Sequence, residues 1–273
     1  MKKIFLCLML VVMFVSAASA EVSIGVLTKL NLTQEDFAKI VKTERESGKV
    51  KIFSLSGEQD DMTFVFYDSL NAMQMGLNAG EVNAIALPED VGAYLLNVTD
   101  GYTISSIMKD KPVYLSFGFR KSDDPELRDK FNNAILSMKA DGTLAIMLSK
   151  FVTEPGIGDP EPIEFFKYSN TETIKVAITG DMPPIDYVGA DGKPAGFNTA
   201  ILAEICRRLH LNVELVQIDS GARAASLASG RSDIVFWFQS RKAQGTILAD
   251  VPDGVVLSES YYNWDDTYLI TKK

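Results

Sequence analysis

Apolar positions along the chain recur with two spacings, and the stretch from Ile174 to Phe238 shows both most clearly. Ile174–Thr179 is a short run rich in β-branched residues that stops at Gly180, which predicts a buried strand. Pro183-Pro184 and then Ala190-Asp191-Gly192-Lys193 punctuate a loop and a hairpin-like turn. Asn198 stands where it can cap a helix over Thr199–Leu209, whose Ile201, Leu202, Ile205 and Leu209 share one face. Val213–Gln217 predicts a second strand, Arg223–Ala228 a short helix ended by Gly230, and Ile234–Phe238 a third strand. Strand and helix in alternation imply an α/β fold with a parallel sheet, and such sheets bind ligands beyond the carboxyl ends of their strands. Gly180–Tyr187 and Gln239–Arg241 occupy those ends.

The preceding half carries the same kind of pattern. Val22–Thr28 predicts a strand, and Thr33 with Glu35 and Asp36 starts a helix through about Lys42. Ser47–Asp61 is polar and poorly patterned. Thr63–Tyr67 predicts a strand, Ser69–Asn78 a helix ending at Gly80, and Val82–Leu87 another strand. Pro88-Glu89-Asp90 leads into a helix over Val91–Leu96. Val113–Phe119 alternates as a strand, Asp124-Pro125 caps a helix to about Lys139, and Asp141-Gly142-Thr143 separates it from a last helix over Leu144–Phe151. The segment Leu77–Ala84 echoes Leu227–Ile234: each reads as helix, glycine cap, turn and buried strand.

Three features of the later stretch carry a resemblance. They are the strand before Met182-Pro183-Pro184, the turn before Pro194-Ala195-Gly196-Phe197, and Leu227-Ala228-Ser229-Gly230-Arg231-Ser232-Asp233. Together they resemble the first lobe of the bacterial extracellular solute-binding proteins of family 3, the polar amino acid receptors of ABC transporters. In that family this segment begins the mature chain, whereas here it begins near residue 173. The earlier half resembles the family's second lobe: Ser69-Leu70-Asn71-Ala72 to Ala93-Tyr94-Leu95-Leu96 looks like its repeating unit, and Phe117-Gly118-Phe119-Arg120-Lys121 like its return crossover. The resemblance therefore implies a two-lobe periplasmic-binding-protein type 2 fold in circularly permuted order. Residues 21–112 would form lobe two, 113–153 a crossover with closing helices, 154–173 a linker with three prolines, 174–260 lobe one, and 261–273 the strand returning to lobe two. Strands near Val22–Thr28 and Asp266–Thr271 are expected to be neighbours, with the lobe boundary crossed near Val113–Phe119 and Ser260–Trp264.

Charge and cysteine content narrow the setting. Lys2 and Lys3, the apolar Ile4–Val15 and the small residues Ala18-Ser19-Ala20 read as a cleaved export signal over residues 1–20, so a periplasmic or secreted protein without a lipid anchor is expected. The formal net charge is −9, which argues against nucleic acid and anionic membrane surfaces as partners. Cys7 lies in the signal, so Cys206 has no intramolecular partner; it sits on an apolar helix face and reads as a small buried hydrophobe.

No catalytic constellation is present. The single histidine, His210, ends a helix between Leu209 and Leu211. No nucleophile elbow, zinc-protease motif or phosphate loop occurs, and neither a metal nor a cofactor is expected. An acidic calcium loop at Ser56–Asp61 is weaker than a solvated one. Binding an amino acid demands a cation or helix N-termini for the carboxylate and an acid for the ammonium. The chain departs from the family at several of those positions: Gly245 stands where the resemblance places an arginine, Lys29-Leu30-Asn31 where it places a Gly-Thr loop, and Pro88 where it places an aspartate. The ligand-facing residues expected are Asp181, Met182, Tyr187, Arg223, Trp237, Gln239, Ser240 and Arg241 from one lobe, with Lys29, Asn31, Glu89 and Asp90 from the other. Arg223, Arg241 and Lys29 would meet a carboxylate; Glu89 or Asp90 would meet an ammonium.

The reading is a monomeric, non-enzymatic protein that captures a small polar ligand, amino acid-like, for a membrane ABC permease. A sensory or interaction module of the same fold, acting with a membrane receptor, is the alternative. An enzyme of the cyclohexadienyl dehydratase kind, with Glu89 as its general acid, is a distant third.

Overall fold

The computed structural model describes residues 22–48, 62–154, 161–240 and 250–273, and the backbone of 51–54. The export signal, the Ser56–Asp61 loop and Arg241 lie outside the described residues.

The chain opens with β1 (Val22–Leu27), α1 (Gln34–Glu46), β2 (Lys51–Ser54), β3 (Met62–Tyr67), α2 (Leu70–Ala79), β4 (Ala84–Pro88) and α3 (Glu89–Val98). Thr33 caps α1 by accepting from the Asp36 N–H, and Ser69 caps α2 by accepting from the Ala72 N–H. Helix α1 runs a turn beyond the expected Lys42, because Val41 and Glu44 stay buried against the sheet. Next come β5 (Tyr102–Arg120), α4 (Glu126–Ala140) and α5 (Thr143–Leu148), which passes into a wide turn over Ser149–Thr153. After the connecting stretch follow β6 (Thr173–Ile178), a small hairpin sheet of β7 (Asp181–Met182), β8 (Asp186–Val188) and β9 (Pro194–Ala195), then α6 (Gly196–Leu209). The chain ends with β10 (Asn212–Gln217), α7 (Arg223–Ala228), β11 (Ile234–Ser240) and β12 (Val255–Lys272).

Among the described residues nine strands form one sheet in the order β10-β6-β11-β5-β12-β4-β1-β3, with β2 added on β5. Two parallel triplets, β10-β6-β11 and β4-β1-β3, flank the long antiparallel pair β5–β12. These triplets are called here the second and first half-sheets. Strand β5 pairs with β11 over 114–119 and with β2 over 106–109, so one strand runs through both regions.

Four expectations are corrected. Strand β5 is not confined to Val113–Phe119; it starts at Tyr102, because β12 pairs along its whole length. Pro112, which has no N–H to give, falls where the β5–β12 register shifts between Lys109 and Val113. The poorly patterned Ser47–Asp61 stretch contains β2. Strands β1 and β12 are not direct neighbours, because β4 lies between them, pairing with β1 at Ala84–Ile85 and with β12 at Ile85–Pro88. Asn198 does not cap α6: the helix already begins at Gly196, and Asn198 is buried inside it. Gly196, at φ 84°, makes that earlier start possible, since a Cβ there would lie 2.5 Å from the Pro184 carbonyl.

Both faces of the sheet are covered. In the second half-sheet, Ile174, Val176 and Ile178 join the main core with α6, while Ala177 and Val235 pack with Leu227 of α7 on the opposite face. In the first, Ile24 and Val26 meet Phe37 and Val41 of α1, and α2 closes on β1 across Gly25, where a Cβ would sit 3.0 Å from Met73. Period-two alternation in each strand is thus spent on two different helices.

Candidate functional site

The carboxyl ends of β1, β4, β6 and β11 meet at the seam between the half-sheets. A cavity of about 90 Å³ lies there, walled by Leu27, Lys29, Leu87 and Pro88 on the side of the first half-sheet, by Gln239 of the second, by Met182 of the small hairpin sheet, and by Trp264 of β12. Its walls are mostly apolar, and it is far below the several hundred Å³ usual for small-molecule sites. A wider groove of about 450 Å³ lies elsewhere, against Arg120 and Leu227, and Arg120 is engaged there with Asp123 at 2.7 Å.

Charged and polar groups at the seam largely satisfy one another. The Lys29 ammonium donates to Gln239 Oε1 at 2.8 Å, joining the two halves. Asp250 Oδ1 accepts from the Leu30 N–H at 2.6 Å, and Asp250 Oδ2 from Arg223 Nη2 at 2.7 Å. The Ser220 N–H donates to the Asp68 carbonyl at 3.0 Å, and Asp68 Oδ1 accepts from the Thr28 hydroxyl. Asp181 accepts from the Ser220 hydroxyl at 3.1 Å, and the Leu70 N–H in the first turn of α2 is near enough to favour its charge. Burial, chiefly, raises its pKa, while those donors pull it back. The rings of Tyr187 and Tyr94 face each other across the seam with centroids 6.4 Å apart.

Lys29, Asp181, Met182, Tyr187 and Gln239 therefore lie together at one seam. Glu89 and Asp90 sit half-buried beside it at the start of α3; burial raises both pKa values, and Asp90 accepts from the Tyr262 hydroxyl. Asn31 is exposed, and the Ser240 backbone is committed to pairing with Tyr114.

Two expected ligand contacts are corrected. Arg223 is not an open cation: it is 0% exposed, donates to the Ser220 and Trp237 carbonyls, and is ion-paired to Asp250. Trp237 does not face a cleft either. It is wholly buried, its indole N–H donates to Thr179 Oγ1 at 3.1 Å, and Arg223 stacks on its ring at 3.9 Å. The apolar strand β11 buries every side chain through Gln239, so its end residues point into the core as well as toward the seam.

Three acids were missed. Asp250 follows a stretch without periodicity, and its partners are remote in sequence, so no local signal marks it. Asp68 looks like an ordinary turn residue. Asp186 lies inside the small hairpin sheet; its Oδ2 accepts from both the N–H and hydroxyl of Thr179, and burial, then nearby Asp181, pushes its pKa up to about 6. His210 ends α6 in the left-handed region, against Tyr168, and burial pushes the Cys206 thiol up to about 12. Among the described residues no group of His, Cys, Asp and Glu is placed to hold a metal, and no helix is long and apolar enough to cross a membrane.

Residues 174–244 match the family model of the bacterial extracellular solute-binding proteins, family 3. A search of curated protein sequences gives no match. Similar solved structures include AgaA from A. tumefaciens R10 in complex with agropinic acid: 13% identity, TM-score 0.39, covering 78% of this chain and 55% of that one. The aliphatic sulphonate binding protein SsuA from Escherichia coli is 8% identical at TM-score 0.42, covering 92% and 65%. The BvgS VFT2 domain of Bordetella pertussis is 14% identical at TM-score 0.42, covering 92% and 80%. The chain thus spans between 55% and 66% of the first three solved structures it matches. At such scores the likenesses carry no residue roles.

Proposed function

We propose that this chain is an exported solute-binding protein that holds a small polar ligand between two lobes and delivers it to an ABC permease. The observation that carries the reading is the seam cavity, built from strand ends of both half-sheets. The family match over 174–244 supports it, because that segment supplies Met182 and Gln239 to the same cavity. In this reading residues 21–112 and 174–260 are the lobes, 113–153 and 261–273 the crossovers, and 154–173 the linker of a circular permutation. The support for that order is topological: β5 and β12 run through both regions, while β1, at the start of the chain, lies one strand from β12, at its end.

Amino acids are the ligand class implied by the resemblance. Calorimetric titration of the whole protein with amino acids, short peptides and organic acids tests the reading. Heat and a thermal shift with at least one of them are expected; none with any of them overturns it. The internal bridges at the seam favour a second reading, an interaction module whose lobes stay closed and present a fixed surface to a membrane receptor. Co-purification with a permease or with a receptor separates the two.

A further inference from the structure

Asp250 is 1% exposed and stands between the half-sheets. Its N–H donates to the Gln239 carbonyl at 2.9 Å, which pins it to the end of β11. Its two carboxylate oxygens are divided. Oδ2 meets Arg223, whose own contacts are with the second half-sheet and the turn before α7, while Oδ1 takes the Leu30 N–H from the turn after β1. A carboxylate held by a guanidinium on one side and a backbone N–H on the other has the contacts that a bound carboxylate solute bridging two lobes would have. A buried ion pair is also a costly way to fill a core, since an apolar pair of similar volume usually packs as well or better.

We infer that Asp250 is a built-in carboxylate ligand: it fills a monocarboxylate seat formed by Arg223 and the Leu30 N–H, and so keeps the halves closed without solute. The inference rests on the reading above in treating the halves as lobes able to separate. The Lys29–Gln239 and Ser220–Asp68 bridges flank this contact, but both accept on neutral groups. Among the described residues, Asp250 is the carboxylate that is ion-paired to a buried cation on one side of the seam and accepts a backbone N–H on the other.

Removing the side chain should vacate the seat for a small external carboxylate. In the whole protein, Asp250→Ala is expected to give a larger radius of gyration in solution scattering than the parent, and formate to restore compactness and raise the melting temperature. Formate should act at concentrations about tenfold below those needed for the double variant Arg223→Met/Asp250→Ala, the loss expected when one charge-assisted contact is removed. The double variant lacks the stranded guanidinium, and it should be expanded and should respond only at those higher formate concentrations. An Asp250→Ala protein as compact as the parent, or a formate response equal in both variants, overturns the inference. If Asp250→Ala does not fold, the double variant decides: expansion supports the inference, and parental compactness overturns it. A parent that binds no solute would sink the transport reading while leaving this test intact.

Discussion

The turn units that close α2 and α7 are built alike. Each helix ends at a glycine in the left-handed region, Gly80 at φ 81° and Gly230 at φ 72°. Three residues later a side chain and its own N–H form a two-point pin to the neighbouring strand. Asn83 accepts from the Ser23 N–H and donates its own N–H to the Ser23 carbonyl, and Asp233 does the same with Lys175, all at 2.8 Å. A basic residue from the central strand pair donates to a carbonyl at each helix end: Lys272 of β12 to Asn78, and Arg120 of β5 to Leu227. The difference lies seven residues before each glycine, where Met73 stands in one unit and Arg223 in the other, both wholly buried. One backbone design thus tolerates an apolar plug or a charge, and the charge draws in Asp250 and, through it, the opposite half-sheet.

Exchanging those two residues breaks the comparison hardest. Met73→Arg puts a charge into an apolar cluster, and Arg223→Met strands the Asp250 carboxylate; each is expected to cost about 3–5 kcal/mol in urea unfolding. Met73→Arg should be the worse, because Asp250 keeps the Leu30 N–H. Near-parental stability of Met73→Arg would show that the two positions are not equivalent.

Asp186 extends the contrast, because the small hairpin sheet sets it, wholly buried, against Thr179 at the end of β6 in the second half-sheet. Its folded pKa, about 6, lies above the ordinary aspartate value, so the native state holds the proton more tightly than the unfolded chain. Its contribution is therefore full below about pH 4 and is lost as pH rises through about 6. Asp186→Asn removes that loss. Relative to the parent, the variant should gain on the order of 2–3 kcal/mol between pH 4 and pH 7.5. Urea melts at the two pH values check this, and an equal variant–parent difference at both counts against it.

Smaller effects test the shared parts. Gly80→Ala and Gly230→Ala should each cost about 1–2 kcal/mol, since both glycines need a left-handed backbone and neither site is crowded. Unequal costs would mean that the turns differ in more than sequence. Asn83→Ala and Asp233→Ala should each cost about 0.5–1.5 kcal/mol, with Asp233 the larger because its bond is charge-assisted. Asp233→Asn, which makes the pins alike, should cost least of all in the same melts.

The three main strands and two helices between Ile174 and Phe238 were legible from the residues, as were the helix starts at Thr33 and Ser69 and the glycine ends at Gly80 and Gly230; the short strands β7–β9 were not. Those features are local: strand and helix periods, caps and left-handed glycines act within a few residues of chain. The length of β5 was not legible, because pairing with β12 extends it through a polar stretch that shows no alternation of its own. Nor was the role of the charges at the strand ends. Arg223 reads equally well as a surface cation, a ligand contact or half of a buried pair. Its partner Asp250 is 27 residues away in sequence, and that carboxylate's other donor, Leu30, is 220 away. A charge acts through whatever lies within about 3 Å of it, and only the folded chain decides what that is.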